Sequence, residues 1–492
     1  MTLSNAFDAA RSALNQNSAR STLISRNIAG ASNPDYTRKT ISINSNSFGT
    51  ASIDAISRAA DRVLLATTLD STSAASAADV RSNALNQLDV NASDPNNANG
   101  LPSLITGLQT AIQTAAADPS NAVSLNAITT AASKLATTLN SSSANVDQQR
   151  AYADQTIASG VATINTLLSQ FDTVNQQIKA AAGSNADVTG AMDSRDGIVK
   201  QIAQQVGVTM VIQPDGGASL YTDGGATLYD RGVRQVTFTP TSVFGPGSTG
   251  QAVMVDGIPI TGAGSPMTSK TGAIAGLADF RDNLAPQYQS QLDGVARGLI
   301  EAFAETDQSA TPTLPNAPGL FSWSGAPSIP GQPTQPGIAG SIKLNPSVDP
   351  TQAGSSLLLR DGGINGAGYV ANASNYASFS ANLQGMLTSL TAPRGFDVTT
   401  GAAAGSQNVG AFAASSSGWL ASARQSATAT ATYQDSLKTQ ATTALSNVTG
   451  VNIDDEMSRM LEVENSYQTS ARLLTTIDSM FTALFQATVP TA

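Results

Sequence analysis

The longest unbroken helical spacing of apolar residues lies between Asn452 and Phe485, a stretch with no glycine or proline. Ile453, Met457, Met460, Tyr467, Ala471, Leu474, Phe481 and Phe485 follow alternating four- and three-residue steps, interrupted at Glu464 and Asp478. Leu473, Ile477, Met480 and Leu484 add a second row, and Leu461 widens the face. Asn452 is placed as N-cap, with Asp454, Asp455 and Glu456 in the first turn, where the helix dipole favours negative charge. A face this wide needs a partner helix. The other end of the chain supplies one: Leu3, Phe7, Ala10, Leu14, Asn17, Ser21, Ile24 and Ile28 keep the same steps. The charges are complementary. Residues 1–30 hold Arg11, Arg20 and Arg26 against Asp8, and residues 453–486 hold six acids against Arg459 and Arg472. The two segments are expected to pair, with each other or with neighbouring copies.

Between these ends the period changes several times. The first helix is expected to stop near Ile28, with Gly30 as the C′ residue and Asn33-Pro34 forbidding continuation. A linker, Ala31–Lys39, leads to a short strand, Thr40–Ile43. Helical spacing over 57–88 is followed by a break at Asp94-Pro95 and Gly100. After a segment at 101–117, Asp118-Pro119 is read as N-cap and N1 proline of a helical pattern of some sixty residues. That pattern runs through Ile128, Leu135, Leu139, Val146, Tyr152, Ile157, Ile164, Leu167, Phe171, Val174 and Ile178. Its length predicts extended helices packed side by side.

From Arg195–Gln205 the chain turns to short alternating runs set off by glycine pairs, which predict an antiparallel meander to about Ile274. Helix returns over Leu277–Ala304. Residues 306–410 read as a loop or β-rich insertion, and a polar helix over Gly418–Leu445 leads to the last segment. The fold class is therefore mainly α with β-rich insertions: paired coiled-coil-like terminal helices, an elongated helical bundle and outward β-rich parts. The division expected is 1–33 with 452–492 as terminal domain, then 34–190, 277–305 and 411–451 as helical domain. Residues 191–276 and 306–410 are the insertions.

Composition removes most chemistry. The chain of 492 residues has no Cys and no His, which excludes disulfides, thiol nucleophiles, His-based triads and Cys/His zinc sites. A net charge of −10 without a basic run argues against nucleic acid and anionic membrane as partners. No apolar run of 18 residues and no cleavable leader pattern is present. Gly245-Pro246-Gly247-Ser248-Thr249-Gly250 matches a dinucleotide fingerprint as a string, but no helix pattern opens at Gly250, so a hairpin loop is the better reading. Asp193, Arg195 and Asp196 read as a capping network at a helix start. Trp323 and Trp419 read as packing. Nothing supports an enzyme, a cofactor or a metal.

Five runs carry a family likeness. Asn27-Ile28-Ala29-Gly30-Ala31-Ser32-Asn33-Pro34-Asp35-Tyr36-Thr37-Arg38-Lys39 resembles the N-terminal signature of the bacterial flagellar axial proteins, with Gly30 and Asp35 departing from the commonest residues. Gly450–Glu456 followed by Glu464–Arg472 resembles that family's closing segment. Gly272–Asp282 and Met192–Asp196 are similar to its hook-associated branch, found at the hook–filament junction. The resemblance implies a structural subunit of the flagellum, exported through the type III channel and found outside the cell. Its implied partners are copies of itself, the hook protein, a second junction protein and an export chaperone. It also implies assembly contacts from Leu3, Phe7, Leu14, Ile24, Ile28, Asn33, Tyr36, Met457, Met460, Leu461, Tyr467, Leu474, Ile477 and Phe481. Both ends would then stay disordered until copies assemble. A sibling axial protein (second junction protein, hook or rod subunit) and an unrelated secreted adhesin or enzyme are the alternatives.

Overall fold

The computed structural model describes residues 3–45, 51–88, 97–183, 186–397, 401–402 and 405–488. Helix α1 (Leu3–Gly30) leads to an antiparallel hairpin of β1 (Lys39–Ser45) and β2 (Ala51–Arg58). Helices α2 (Arg62–Gln87), α3 (Leu101–Ala117), α4 (Ala122–Ala180) and α5 (Thr189–Gln205) follow. At 1.5 Å per residue the 59-residue α4 is about 90 Å long and forms the spine of the molecule. Its buried side carries Ile128, Leu135, Leu139, Val146, Ile157, Ile164, Leu168 and Phe171, against which α3, α5 and later helices pack.

The glycine-punctuated stretch forms two three-stranded antiparallel sheets. The first is β3 (Val208–Ile212), β4 (Ala218–Thr222) and β5 (Thr227–Tyr229); the second is β6 (Val236–Thr237), β7 (Met254–Val255) and β8 (Ile258–Pro259). Helix α6 (Ala273–Asp279) passes through a π-helical turn at Phe280–Leu284 into α7 (Ala285–Ala302). Short elements follow: β9 (Phe321–Ser322), α8 (Ile338–Ser341), β10 (Lys343–Leu344), α9 (Leu358–Asp361), α10 (Ala381–Thr391), β11 (Arg394–Phe396) and β12 (Gly405–Gln407). Two long helices, α11 (Val409–Thr449) and α12 (Ile453–Thr488), close the chain. Helix α11 packs along α2, and α12 packs along α1. The alanines and serines on α2 permit the close approach: Ala75, Ala77, Ala78, Ser73 and Ser82 are all buried. Gly276 serves the same end, since a Cβ there would lie 2.4 Å from the carbonyl oxygen of Ala77 where α6 crosses α2.

Several expected boundaries move, each for a local reason. Ser57 belongs to β2, and α2 begins only after Asp61, whose carboxylate accepts from the Val63 and Leu64 amides. Asp118 does not cap α4. It ends α3, and Asn121 is the N-cap, accepting from the Val123 amide. Helix α11 starts at Val409, nine residues before Gly418, because burial of Phe412, Ala413, Ser416 and Leu420 offsets glycines that cost about 1 kcal/mol each. The helix expected over 277–304 is widened at Phe280–Leu284. Pro286 has no N–H for the carbonyl of Asp282 and its ring would crowd that carbonyl, so the widened turn just upstream relieves both. Tyr152 points to solvent, because Arg150 and Asp154 take the inner face of α4 at that level. The break at Asp94-Pro95 lies outside the described residues.

Two buried charge sets fasten the insertions to the long helices, one on the spine α4 and one on α7. Arg281, fully buried on the π turn, donates to Asp154 of α4, to both oxygens of Asp282 (2.9 and 2.7 Å) and to the carbonyl of Gln251 (2.8 Å). Asp154 also accepts from the Thr241 amide at 2.7 Å, and Arg150 donates to the Ser248 carbonyl. The glycine-rich string at 245–250 is thus part of the long connection between β6 and β7, held on Arg150 and, through the Gly250 amide, on Asp282. Residues 337–339 are held by Asp293 of α7, which accepts from the Gly337 and Ala339 amides, both at 2.8 Å, and from Gln289 at 3.1 Å.

Burial pushes the Asp293 carboxyl up to about 6, despite its three donors. The folded chain therefore holds this proton at pH values where the unfolded chain has released it. Stability from this group is full below about pH 4, falls as pH rises toward about 6, and is level above that, a swing of about 3 kcal/mol at most. Asp293→Asn should remove this slope. Urea midpoints of both proteins at pH 4 and 6.5 measure it, and an unchanged slope in the variant would refute it.

Candidate functional site

The terminal helices form an antiparallel pair within one chain. Phe7 meets Phe481 edge to face, with ring centroids 6.3 Å apart. Further along, Asn17 donates to Ser466 at 3.0 Å, Ser21 Oγ lies 3.5 Å from Met460 Sδ, and Asn27 donates to Glu456 at 3.1 Å. Leu23, Ile24, Val463 and Ile477 are buried in the seam, while Leu3, Leu14, Ile28, Leu474 and Phe481 are half-buried beside it. Of the two pairings expected, with each other or with neighbouring copies, the single chain makes the first, and its ends are helical where disorder before assembly was expected: each end covers one stripe of the other. The complementary charge does not produce the pairing, since no α1–α12 ion pair exists among the described residues, and Arg26 lies instead 3.7 Å from Asp187.

The pairing uses only part of the apolar surface. Met457, Leu461, Tyr467, Leu473, Met480, Leu484 and Phe485 are each about half exposed or more. They flank the seam, because a helix with an apolar arc wider than its partner's contact leaves the edges uncovered. Of the fourteen residues singled out from the sequence, Phe7, Ile24, Met460, Ile477 and Phe481 are brought together in the seam. Met457, Leu461 and Tyr467 face outward.

Asn33 and Tyr36 lie in the linker after α1. Asn33 is exposed and accepts from the Asp35 amide at 3.0 Å. The Tyr36 ring packs on Gly30, where a Cβ would come within 2.6 Å of it. Gly30 is thus the last helical residue and its small size admits the ring; a left-handed C′ conformation is not used. Tyr36 also donates to Asn27 Oδ1 at 2.9 Å. Burial, then the charge of Asp193, raises the Tyr36 phenol, which keeps it a donor.

Asn27 is the polar centre of this joint. Its Oδ1 also accepts from the Lys39 amide at 3.1 Å, and its Nδ2 donates to the Lys39 carbonyl at 3.0 Å as well as to Glu456. Asp454 and Asp455 are exposed first-turn residues, their amides donating to Asn452 as the cap reading requires. Glu456 departs from that reading: it is buried and binds Asn27 and Arg459.

The largest departure is at Asp193, Arg195 and Asp196. They sit inside α5 and cap nothing. Asp193 accepts from Thr37 Oγ1 at 2.6 Å and pairs with Lys39 at 3.2 Å and Arg58 at 3.1 Å. Asp196 takes the other arm of Arg58 at 2.7 Å. These two carboxylates anchor the linker and hairpin to the helical body. A cavity of about 810 Å³ opens beside them, between the linker, α5, the β3–β4 turn and the end of α11. Among the described residues no cluster of three or more acidic groups is arranged to hold a metal ion, and no helix is long and apolar enough to cross a membrane.

Residues 445–487, the end of α11 and nearly all of α12, match the family model described as flagellar basal body rod FlgEFG protein C-terminal. This match assigns the long terminal helix, paired here with the opposite chain end, to the flagellar axial proteins. Residues 85–319, which include the spine α4 and both three-stranded sheets, match the model described as flagellar hook-associated protein FlgK helical domain. The chain belongs to the FlgK family of flagellar hook-associated proteins. Among solved structures it is similar to the flagellar hook junction protein FlgK from Burkholderia pseudomallei, at 22% identity and a TM-score of 0.42. That match covers 53% of this chain and 47% of the length of that one. No curated protein matches the chain.

Proposed function

We propose that the chain is a structural, non-catalytic subunit of the bacterial flagellum that joins hook to filament. On this reading it is exported and assembles outside the cell through α1 and α12. Its partners are copies of itself, the hook protein, a second junction protein and, before export, a chaperone. Residues 1–33 and 452–492 act as the assembly domain. Residues 34–190, 277–305 and 411–451 form the body, and 191–276 and 306–410 are the outward insertions. The observation that supports this best is the half-satisfied α12. Its seam is closed on α1, yet apolar side chains from Met457 to Phe485 remain in water on a helix that matches the axial C-terminal model.

Removing residues 457–492 should abolish attachment of filament to hook, with flagellin released into the medium. Leu473→Asp combined with Met480→Asp should give the same loss while sparing the buried seam residues Val463 and Ile477. Normal swimming and filament length in both strains would refute the reading.

A further inference from the structure

We infer that the cavity beside Asp193 and Asp196 receives the outward face of the first three turns of α12 from a second copy of the chain. This rests on the assembly reading and specifies which surfaces meet.

The cavity is apolar inside, where Met210, Ile212 and Leu445 line it, and its charged lining sets Arg58, Arg62, Arg195 and Lys200 against Asp35, Asp61 and Asp196, four cations to three carboxylates. The positive charge is incompletely neutralised. Lys200 pairs with Asp35 at 3.0 Å. Arg62 has no ion-pair partner among the described residues, and the adjacent Asp61 carboxylate is occupied in capping α2. Arg195 is 2% exposed; it donates to the Gly216 carbonyl at 2.8 Å, but its Nε has no hydrogen-bond partner and lies 3.9 Å from Asp196. The exposed Arg62 guanidinium, at the edge of an apolar hollow, suits a carboxylate carried on an apolar body.

The chain presents that chemistry on α12. Asp454, Met457, Leu461 and Glu464 fall at i, i+3, i+7 and i+10, on one face and away from the seam residues Glu456 and Val463. All four are exposed, Met457 at 50% and Leu461 at 59%. The order is acid, apolar, apolar, acid, which complements an apolar hollow with cations around it.

None of the four lines the cavity of its own chain. Yet α12 begins only four residues beyond Thr449, which does line it. Row and cavity therefore sit beside the same joint. Copies related by rotation about an axis along the helix pair keep the two at one level, so the row of one copy can enter the cavity of the next. Such a contact is heterologous, joining two different surfaces of neighbouring copies.

The test replaces Met210 with the photocrosslinker benzoylphenylalanine in flagellated cells carrying this chain as their only copy. Irradiated flagella should yield a dimer crosslinked to residues 454–464 of the second copy. Arg62→Glu in the same background should cut that dimer at least tenfold. If the Met210 variant does not assemble, Ser446→benzoylphenylalanine, exposed on the cavity wall, gives the same readout. Flagella that form without this crosslink, or with crosslinks elsewhere, overturn the inference and leave the assembly reading standing. Cells carrying the unaltered chain that build no junction would instead overturn the assembly reading itself.

Discussion

Arg281→Ala should destabilise the middle of the molecule by about 3–5 kcal/mol, the cost of leaving a buried ion pair with one member. Arg281 is fully buried and holds three acceptors at once: Asp154 on α4, Asp282 on its own π turn and the Gln251 carbonyl. Truncation leaves Asp154, itself 1% exposed, without its cation. It also unseats the chain at 241–251, which the same carboxylates hold through the Thr241 and Gly250 amides.

A chain of several units does not unfold as one, so a local measure is needed beside the melting temperature. Amide exchange at residues 241–251 should accelerate more than a hundredfold while α1 and α12 are unaffected. Arg281→Met with Asp154→Leu should recover much of the loss, because replacing both members of a buried pair avoids the stranded charge. Exchange at 241–251 no faster than in the parent chain would show that the pair does not hold the insertion.

The elements legible in the sequence are those whose signal is local. The spine α4 shows as sixty residues of helical spacing, and its burial follows that spacing at every marked apolar residue except Tyr152 and, in part, Val174. Asn452 is recognisable as a cap, and the glycine pairs do separate β3, β4 and β5.

What escaped is what depends on distant residues. Asp193 meets partners 135 to 156 residues away, and Arg281 meets Asp154 at a separation of 127. No periodicity encodes such a contact, and in a helix start a mixed run such as Asp-Ser-Arg-Asp reads equally well as a cap. Residues 306–408 were opaque for another reason: their helices of three to eleven residues and strands of two or three are too short to show a period. Within the terminal pair the stripes were visible, but the seam was not. The register that pairs Phe7 with Phe481 and Asn27 with Glu456 buries Val463 and Ile477 and leaves Met457 outside.

Asp193→Ala should release the terminal pair from the body. Asp193 receives Thr37, Lys39 and Arg58, so one carboxylate ties the linker after α1, the first strand and the second strand to α5. Without it Lys39 keeps a nearly buried ammonium with no counter-charge, while Arg58 retains Asp196. A loss of about 3 kcal/mol at this joint raises its open population more than a hundredfold. Brief digestion with a nonspecific protease reads that population directly, because cleavage tracks the open form when closing is fast. The variant should be cut within 31–38 at a rate at least a hundredfold above the parent, with the body left intact. Asp193→Asn, which keeps an acceptor for Thr37 but no charge, should fall between the two. Asp454→Ala, a loss of an exposed first-turn acid, should behave as the parent. If Asp193→Ala is trimmed no faster than that control, the joint is held by Asn27 and its neighbours alone, and the carboxylates of α5 do not lock it.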